Sequence, residues 1–201
     1  MGNFEPLSRS FYKPTAEAVA PALLGHYLIR HSEGAFCGGL IVETEAYLMD
    51  DPACHASRGI TPRNQTMFGP PGHAYVYMIY GFYFCVNAVC QPHGVAEAVL
   101  IRAVEPVFGE AQMRSRRPVK TTHALTSGPG KLCQALDITR GLDGVDLCRA
   151  DSPLFIGRNP DAEEIRRERG PMLKTTRIGI TKAAGLPLRF HLPGSLFVSR
   201  R

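Results

Sequence analysis

The spacing of hydrophobic and polar positions predicts one helix near the start of the chain and mainly strands after it. Residues 15–24 place apolar side chains at helical spacing, between a candidate N-cap at Thr15 and a glycine at position 25. Further along, runs of β-branched, aromatic and apolar residues favour strands. Gly38 and Gly39 interrupt one of these runs and predict a bend or a bulge in that strand.

Eight runs have the composition of strands: 26–31, 36–48, 73–80, 81–91, 96–105, 177–180, 188–192 and 196–199. The three central runs follow one another closely and predict an antiparallel meander. Helical spacing returns at 107–116, 127–138 and 161–169, whereas 50–71 has the composition of a long functional loop. Because no internal repeat or linker is visible, we predict a single α+β domain over residues 1–201 with a mostly antiparallel sheet.

Charge is unevenly distributed along the 201 residues, whose net charge is +5. Residues 1–100 hold 5 Lys/Arg against 8 Asp/Glu, while residues 101–201 hold 18 against 10. A basic surface is typical of proteins that bind nucleic acids, although a charge of this size also serves solubility, and charge alone leaves both interpretations open.

The sequence gives no sign of membrane insertion or export. No stretch approaches the roughly 20 apolar residues that a bilayer crossing requires, and residues 1–13 lack the apolar core of a signal peptide. The six cysteines are scattered without a CxxC pair, which favours reduced thiols over a disulfide framework. We therefore expect a soluble protein of the cytoplasm, associated with the nucleoid in a bacterium, or of a nucleus.

Two carboxylates, Glu43 and Glu45, lie two residues apart in a strand-like run. Side chains at that spacing share a face, and glutamate is uncommon in strands, so a pair of them next to a long loop suggests catalysis. The alternative is an ordinary solvated face of the sheet with two surface charges.

Tyrosines are concentrated between positions 75 and 83, where four of the seven in the chain lie. Tyrosine in a strand usually packs in the core. Tyr80, however, directly precedes Gly81, a residue that permits a sharp turn, which predicts an aromatic ring at a hairpin tip. Such a ring can stack on nucleobases or insert between them.

Two further motifs remain weak. The adjacent Cys54 and His55 suggest zinc, but a zinc site needs three or four ligands with recognisable spacing, and we expect no metal. The segment 127–131, SGPGK, fails the P-loop pattern because leucines stand at positions 125 and 132. A helix start with glycines and Lys131 can still bind a DNA phosphate, and simple helix capping explains the segment equally well.

Several segments together resemble the alkyladenine (3-methyladenine) DNA glycosylase family. The matching blocks, in chain order, are VETEAY at 42–47, His55, TPRN at 61–64, YVYMIYGFYFCVN at 75–87, LIRAVEP at 100–106, SGPGKLCQAL at 127–136, RIGI at 177–180 and PLRF at 187–190. Eight blocks in order form a highly specific signal that covers most of the chain. The resemblance implies a curved, mostly antiparallel sheet flanked by helices, a fold also found in the C-terminal domain of a tRNA formyltransferase.

The same resemblance assigns catalytic roles to three residues. Glu45 matches the general base that activates a water molecule aimed at the anomeric carbon of the sugar, and a carboxylate also suits the oxocarbenium-like charge that develops there. Arg102 and the backbone carbonyl of Ile178 match the groups that help to hold that water. A guanidinium beside Glu45 also stabilises its charged form.

The resemblance further implies a pocket for an extruded base. Tyr47 and His55 match the two rings that sandwich the base, and Tyr77 completes the wall. Cationic alkylated purines stack well on such electron-rich rings. Asn87 matches the residue that obstructs the exocyclic amino group of normal guanine, which is selectivity by exclusion.

Contacts with the DNA duplex follow from the same resemblance. Tyr80 matches the side chain that enters the minor groove and fills the gap left by the base, and Phe82 stands where a second apolar wedge is expected. Arg63 and Lys131 are candidate phosphate contacts, followed by Arg114, Arg116 and Arg117.

The implied activity is that of a monofunctional DNA glycosylase. It acts as a monomer, without a cofactor, on double-stranded DNA that contains alkylated or deaminated purines, and it leaves an abasic site. Two alternatives remain open: a nucleic-acid binding module without activity, and a metal-dependent hydrolase that uses Cys54 and His55.

Overall fold

A single antiparallel sheet dominates the computed structural model, which describes residues 4–199. The described residues form the strands β1 (Tyr27–Ser32), β2 (Ala35–Tyr47), β3 (Ala74–Ile79), β4 (Tyr83–Cys90), β5 (Glu97–Phe108), β6 (Leu154–Gly157), β7 (Leu173–Thr175) and β8 (Arg189–His191). Their order is β3-β4-β5-β2-β1-β6, and β8 pairs with both β2 and β7. The predicted α+β class and the antiparallel meander β3–β4–β5 are confirmed.

Short helices accompany the sheet. Within residues 4–199 they are α1 (Ala16–Leu23), α2 (Glu110–Arg116), α3 (His123–Thr126), α4 (Pro129–Ala135) and α5 (Ala162–Glu168). The predicted N-cap is confirmed, since the Thr15 hydroxyl accepts a hydrogen bond from the Ala18 N–H at 3.3 Å. Among the helices that the structure describes, none combines the length and the apolar content that spanning a membrane demands.

Two predicted strands are wrong. Residues 177–180 and 196–199 form no ladder, because the N–H groups of Ile178 and Ser199 donate instead to the carboxylates of Glu45 and Glu43. The helix predicted at 107–116 begins only at Glu110, since β5 continues to residue 108, and the helix predicted at 127–138 is limited to 129–135. The short strands β6 and β7 were not predicted.

The main core lies between the sheet and the helices that cover it. Helix α1 packs on β2 and β5, and α4 packs on β4 and β5. A second, smaller apolar cluster lies under the long loop, where Cys54 and Met67 pack against Tyr75 of β3. The loop therefore has its own anchorage on the sheet.

A hydrogen-bond network around Asn64 shapes this loop. The side-chain amide of Asn64 donates to the carbonyls of His55 and Gly59 at 2.8 and 3.0 Å, and its oxygen accepts from the Thr61 N–H at 2.6 Å. Asn64 is buried. These bonds hold His55 at a fixed position beside the sheet.

The predicted irregularity at Gly38 and Gly39 is confirmed, since the register between β2 and β5 shifts between them. A Cβ atom on Gly38 would lie 2.1 Å from the Leu28 carbonyl oxygen, and one on Gly39 would lie 1.9 Å from that of Glu105. Neighbouring backbones thus approach β2 from both sides at a distance that only glycine permits.

Candidate active site

Two register shifts between β2 and β5 direct Arg102 toward the glutamates. Glu43 pairs with Ala103 and Thr44 pairs with Ile101, so Arg102 has no residue directly opposite. Such bulges reorient side chains in a sheet. The buried Arg102 guanidinium contacts both Glu43 and Glu45, with Nη1 3.2 Å from Oε2 of Glu45.

Glu45 is fully buried and its carboxylate is held by three donors. Its Oε2 atom accepts from the Tyr47 hydroxyl at 2.9 Å and pairs with Arg102, while Oε1 accepts from the Ile178 N–H at 2.8 Å. A carboxylate offers about four acceptor positions, and these three donors account for three of them. Burial and the charge of Glu45 raise the pKa of Tyr47, whose hydroxyl therefore stays protonated as a donor.

The residues that hold Glu45 form part of the wall of a cavity of about 390 Å³. The sequence-predicted residues that line it are Tyr47, His55, Tyr77, Tyr80, Asn87, Arg102 and Ile178. Glu45 lies directly behind this wall, in contact with three of these residues. The structure thus brings the predicted general base and the predicted base pocket together.

The aromatic rings of His55 and Tyr77 line the cavity together with that of Tyr47. The His55 and Tyr77 rings meet edge to face with centroids 4.5 Å apart, and Nδ1 of His55 lies 2.9 Å from the Tyr75 hydroxyl. Burial and the charge of Arg63 lower the pKa of His55, so its ring is neutral near pH 7. A neutral histidine can face a cationic base without charge repulsion.

Asn87 lies on β4, lines the cavity and is buried. Its side-chain amide donates to the Tyr75 carbonyl at 3.0 Å, which fixes the orientation of the amide group. A fixed polar group at this place can discriminate between bases by the groups they carry on their edges.

The hairpin between β3 and β4 presents Tyr80 at its tip. Tyr80 and Gly81 both have positive φ, +51° and +79°, and the Phe82 N–H donates to the Ile79 carbonyl at 3.3 Å. The Tyr80 side chain is 76% exposed and is one of the residues that line the cavity. Phe82 is also exposed, but it packs against Tyr83 and lines a separate cavity next to α4.

The two predicted phosphate ligands are exposed near the cavity. The Arg63 guanidinium donates to the Met78 carbonyl and lies 5.7 Å from the Tyr77 ring centroid. Lys131 lies in α4, whose first residue, Pro129, lines the cavity. Arg114, Arg116 and Arg117, the remaining candidates, each donate to protein groups in and around α2–α4.

Cys54 and His55 do not form a metal-binding pair. The Cys54 thiol accepts from the Ala56 N–H and donates to the Ala96 carbonyl, and burial raises its pKa to about 11. Because metals bind the thiolate, this environment disfavours Cys54 as a ligand. Between residues 4 and 199, no cluster of three or more His, Cys, Asp or Glu side chains is arranged to hold a metal.

Sequence reasoning did not assign several residues of this site. Arg177 donates to the Ala46 carbonyl and to Asp51, and its guanidinium lies 4.7 Å from the centroid of the Tyr47 ring. Arg189 and Ser199 both contact Glu43. The two arginines lie in the blocks RIGI and PLRF, which carry the family resemblance, whereas Ser199 lies outside every such block.

Comparison with known proteins gives the class to which this fold and pocket belong. Residues 10–196 match the family model described as methylpurine-DNA glycosylase (MPG). The chain belongs to the methylpurine-DNA glycosylase family. It is thus a DNA glycosylase, an enzyme of DNA repair.

Relatives from distant prokaryotes match the chain over almost its whole length. A protein of Methanoculleus marisnigri, named as an inferred 3-methyladenine DNA glycosylase, is 51% identical over 97% of this chain and 99% of its own. A protein of Rhodopseudomonas palustris with the same name is 52% identical over 96% of this chain and 88% of its own. A protein of Carboxydothermus hydrogenoformans with the same name is 47% identical over 97% of this chain and 99% of its own.

Proposed function

We propose that this enzyme extrudes alkylated or deaminated purines from duplex DNA and hydrolyses the bond that joins them to deoxyribose, with Glu45 as general base. The observation that supports this proposal most directly is the placement of the Glu45 carboxylate. It is buried, bound by Tyr47, Arg102 and the Ile178 N–H, and adjacent to an aromatic cavity that opens beside an exposed tyrosine.

In the proposed reaction, Glu45 accepts a proton from a water molecule while the water oxygen bonds to the anomeric carbon. The glycosidic bond breaks, and its electron pair leaves with the base. Arg102 and the backbone at Ile178 orient the carboxylate and the water. The products are a free base and an abasic site, and no strand cleavage is expected.

The cavity suits a planar base between Tyr47 and His55, with Tyr77 as a further wall. Its volume of about 390 Å³ is adequate for a purine. Cationic 3-methyladenine and 7-methylguanine are favoured by stacking on electron-rich rings, and 1,N6-ethenoadenine and hypoxanthine have the same flat shape. Asn87 would exclude normal guanine through its exocyclic amino group.

Tyr80 is proposed to occupy the space that the extruded base vacates, at the mouth of the same cavity, and to offset an unstacking cost of a few kcal/mol. Phe82 is the second proposed wedge, and Arg63 and Lys131 are the proposed phosphate contacts. We propose that the enzyme acts as a monomer in the compartment that holds the DNA.

The test is a single-turnover base-release assay on duplexes that carry each of these four lesions. Glu45→Gln should bind the lesion duplex as the wild type does and release base about 10²–10⁴-fold more slowly, because general bases contribute factors of that size. Glu105→Gln is a matched control, since Glu105 lies on β5 of the same sheet, forms an ion pair with Arg169 after α5, and does not line the cavity. Base release by Glu45→Gln at the wild-type rate would contradict the mechanism, and a wild type that binds without releasing base would favour the binding-module alternative.

A further inference from the structure

Glu43, the first carboxylate of the pair, contacts the residues that build the site without lining the cavity itself. Its Oε1 atom accepts from Arg102 Nε at 3.1 Å, from Arg189 Nε at 2.6 Å and from the Ser199 hydroxyl at 2.9 Å. Its Oε2 atom accepts from the Ser199 N–H at 2.8 Å. Glu43 is fully buried, and of the described residues that it contacts only Arg102 lines the cavity.

These contacts determine the orientation of Arg102. Each nitrogen of the guanidinium has a separate partner: Nε binds Glu43, Nη1 lies 3.2 Å from Glu45, and Nη2 donates to the Ser199 hydroxyl at 3.0 Å. A planar group held at three corners cannot rotate. Without Glu43, Arg102 Nε loses its partner, and Ser199 loses the carboxylate that its N–H and hydroxyl groups bind.

We propose that Glu43 is a positioning residue for base excision: it fixes the Arg102 guanidinium against Glu45 and fastens the segment around Ser199 behind it. This inference rests on the proposed function of Glu45 as general base. It adds a second carboxylate that acts through Arg102 without touching the substrate. Of the two glutamates in VETEAY, Glu45 then takes part in the reaction and Glu43 orients Arg102.

The charged groups around Glu43 determine how its positioning role can be measured. Among the described residues, Glu43 and Glu45 face the guanidinium groups of Arg102 on β5 and Arg189 on β8. The other titratable or charged groups around them are Tyr47 on β2, Cys85 on β4, His191 on β8 and Arg177. If Glu43 loses its charge, the contact that holds Arg102 Nε weakens, so the effect of the change on base release should depend on Arg102.

The experiment compares Glu43→Gln with the control Glu105→Gln in single-turnover base release and lesion-duplex binding, each in the wild-type and the Arg102→Lys background. For Glu43→Gln we expect a rate about 10–100-fold lower and a Kd within about threefold of wild type. The control should retain the wild-type rate. In an Arg102→Lys background, Glu43→Gln should cause little further loss, since its partner is already altered.

The outcomes separate this inference from the proposed function. A wild type that releases no base overturns both. A wild type that releases base, together with a Glu43→Gln variant that has the wild-type rate, overturns only the role of Glu43. A slower Glu43→Gln variant whose loss is undiminished in the Arg102→Lys background also overturns it, because the effect then does not act through Arg102.

Ser199→Ala provides a second test should Glu43→Gln not fold. This change removes only the hydroxyl that bridges Glu43 and Arg102 and keeps the backbone donor. We expect base release about three- to tenfold slower with unchanged binding. A rate equal to that of the wild type would overturn the inference.

Discussion

At the scale of single residues, Glu43 and Glu45 differ in their partners although both are fully buried. Burial alone would raise the pKa of Glu43, but the charge of Arg102, the Ser199 N–H and the Arg189 guanidinium outweigh it and hold that pKa below its ordinary value. Among the described residues, Glu43 has four donor contacts, with Arg102, Arg189 and Ser199, whereas Glu45 has three. Sequence spacing predicts that the two share a face, but it does not predict this division of contacts.

The environment of Cys54 predicts that its thiol has no part in the reaction. Cys54→Ala should release base within about twofold of the wild-type rate and lose about 1–2 kcal/mol of stability, because a buried sulfur and its hydrogen bonds are removed. Thermal unfolding and base release in the presence of EDTA measure both effects. Cys148→Ala, at a half-buried thiol outside the cavity lining, is the matched variant, and loss of activity in Cys54→Ala alone would revive the metal-dependent alternative.

His26 predicts a loss of stability in acid. It is buried, and Nδ1 accepts from the Asn159 N–H at 3.1 Å; burial, followed by the charges of Arg166 and Arg158, lowers its pKa to about 4. The unfolded chain binds a proton below about pH 6.5, so the folded state is disfavoured as pH falls from there toward 4. We expect a loss of about 3 kcal/mol over this range by urea unfolding.

His26→Gln is the variant that isolates this contribution, and its stability should depend less on pH in the same range. His93→Gln, at an exposed position, should keep the wild-type dependence. Identical pH dependence in the wild type and His26→Gln would show that other groups cause the acid loss.

At the scale of elements, the β3–β4 hairpin predicts a graded effect of its aromatic residues. Tyr80→Ala should lower the extruded fraction of a lesion base by about tenfold or more, because the gap in the duplex is no longer filled. Phe82→Ala should have a smaller effect, since Phe82 packs against Tyr83 away from the cavity. Fluorescence of a base analogue next to the lesion reports extrusion, and a Tyr80→Ala variant with normal extrusion and excision would refute the wedge.

Elements whose stability comes from local and neighbouring contacts were predictable. The Thr15 cap, the interruption at Gly38 and Gly39, and the meander all follow from residue spacing and turn chemistry. The segments 177–180 and 196–199 read as strands because they are apolar and β-branched, yet their N–H groups bind carboxylates more than 130 positions away in sequence. A pairing of that range leaves no trace in local periodicity.

The same limit applies to the candidate site. The resemblance located Glu45, Arg102, Ile178 and the cavity residues together, and the structure brings them to one place. It could not indicate that Ile178 contacts Glu45 through its N–H group, nor that Arg177 lies against the Tyr47 ring. These contacts depend on bulges and loop paths, which the order of residues does not encode locally.

At the scale of the whole molecule, the excess of basic residues in the second half predicts binding that weakens as salt rises. The logarithm of the binding constant should fall linearly with the logarithm of salt concentration, with a slope of about −0.9 for each phosphate contacted. Lys131→Ala should reduce the magnitude of that slope by about one, because one counterion-releasing contact is lost. A salt titration by fluorescence anisotropy measures both values.

Lys174→Ala is the matched variant, since its ammonium group pairs with Glu17 at 2.8 Å and lies over Phe190. It should leave the slope unchanged. A flat salt response in the wild type would place the DNA contacts on a surface other than the one near α4.

The hydrogen bonds between Ser199 and Glu43 also determine when the contacts of Arg102 can be completed during synthesis of the chain. Glu43 contacts residues 102, 189 and 199, which are far apart in the sequence. A chain that is still being synthesised therefore cannot form all of these contacts until residue 199 has left the ribosome. Proteolytic removal of the residues after Leu192 would leave all eight described strands present but remove the contacts of Ser199 with Glu43 and Arg102. If Glu43 acts as proposed, a molecule trimmed in this way should keep the sheet and release bases more slowly.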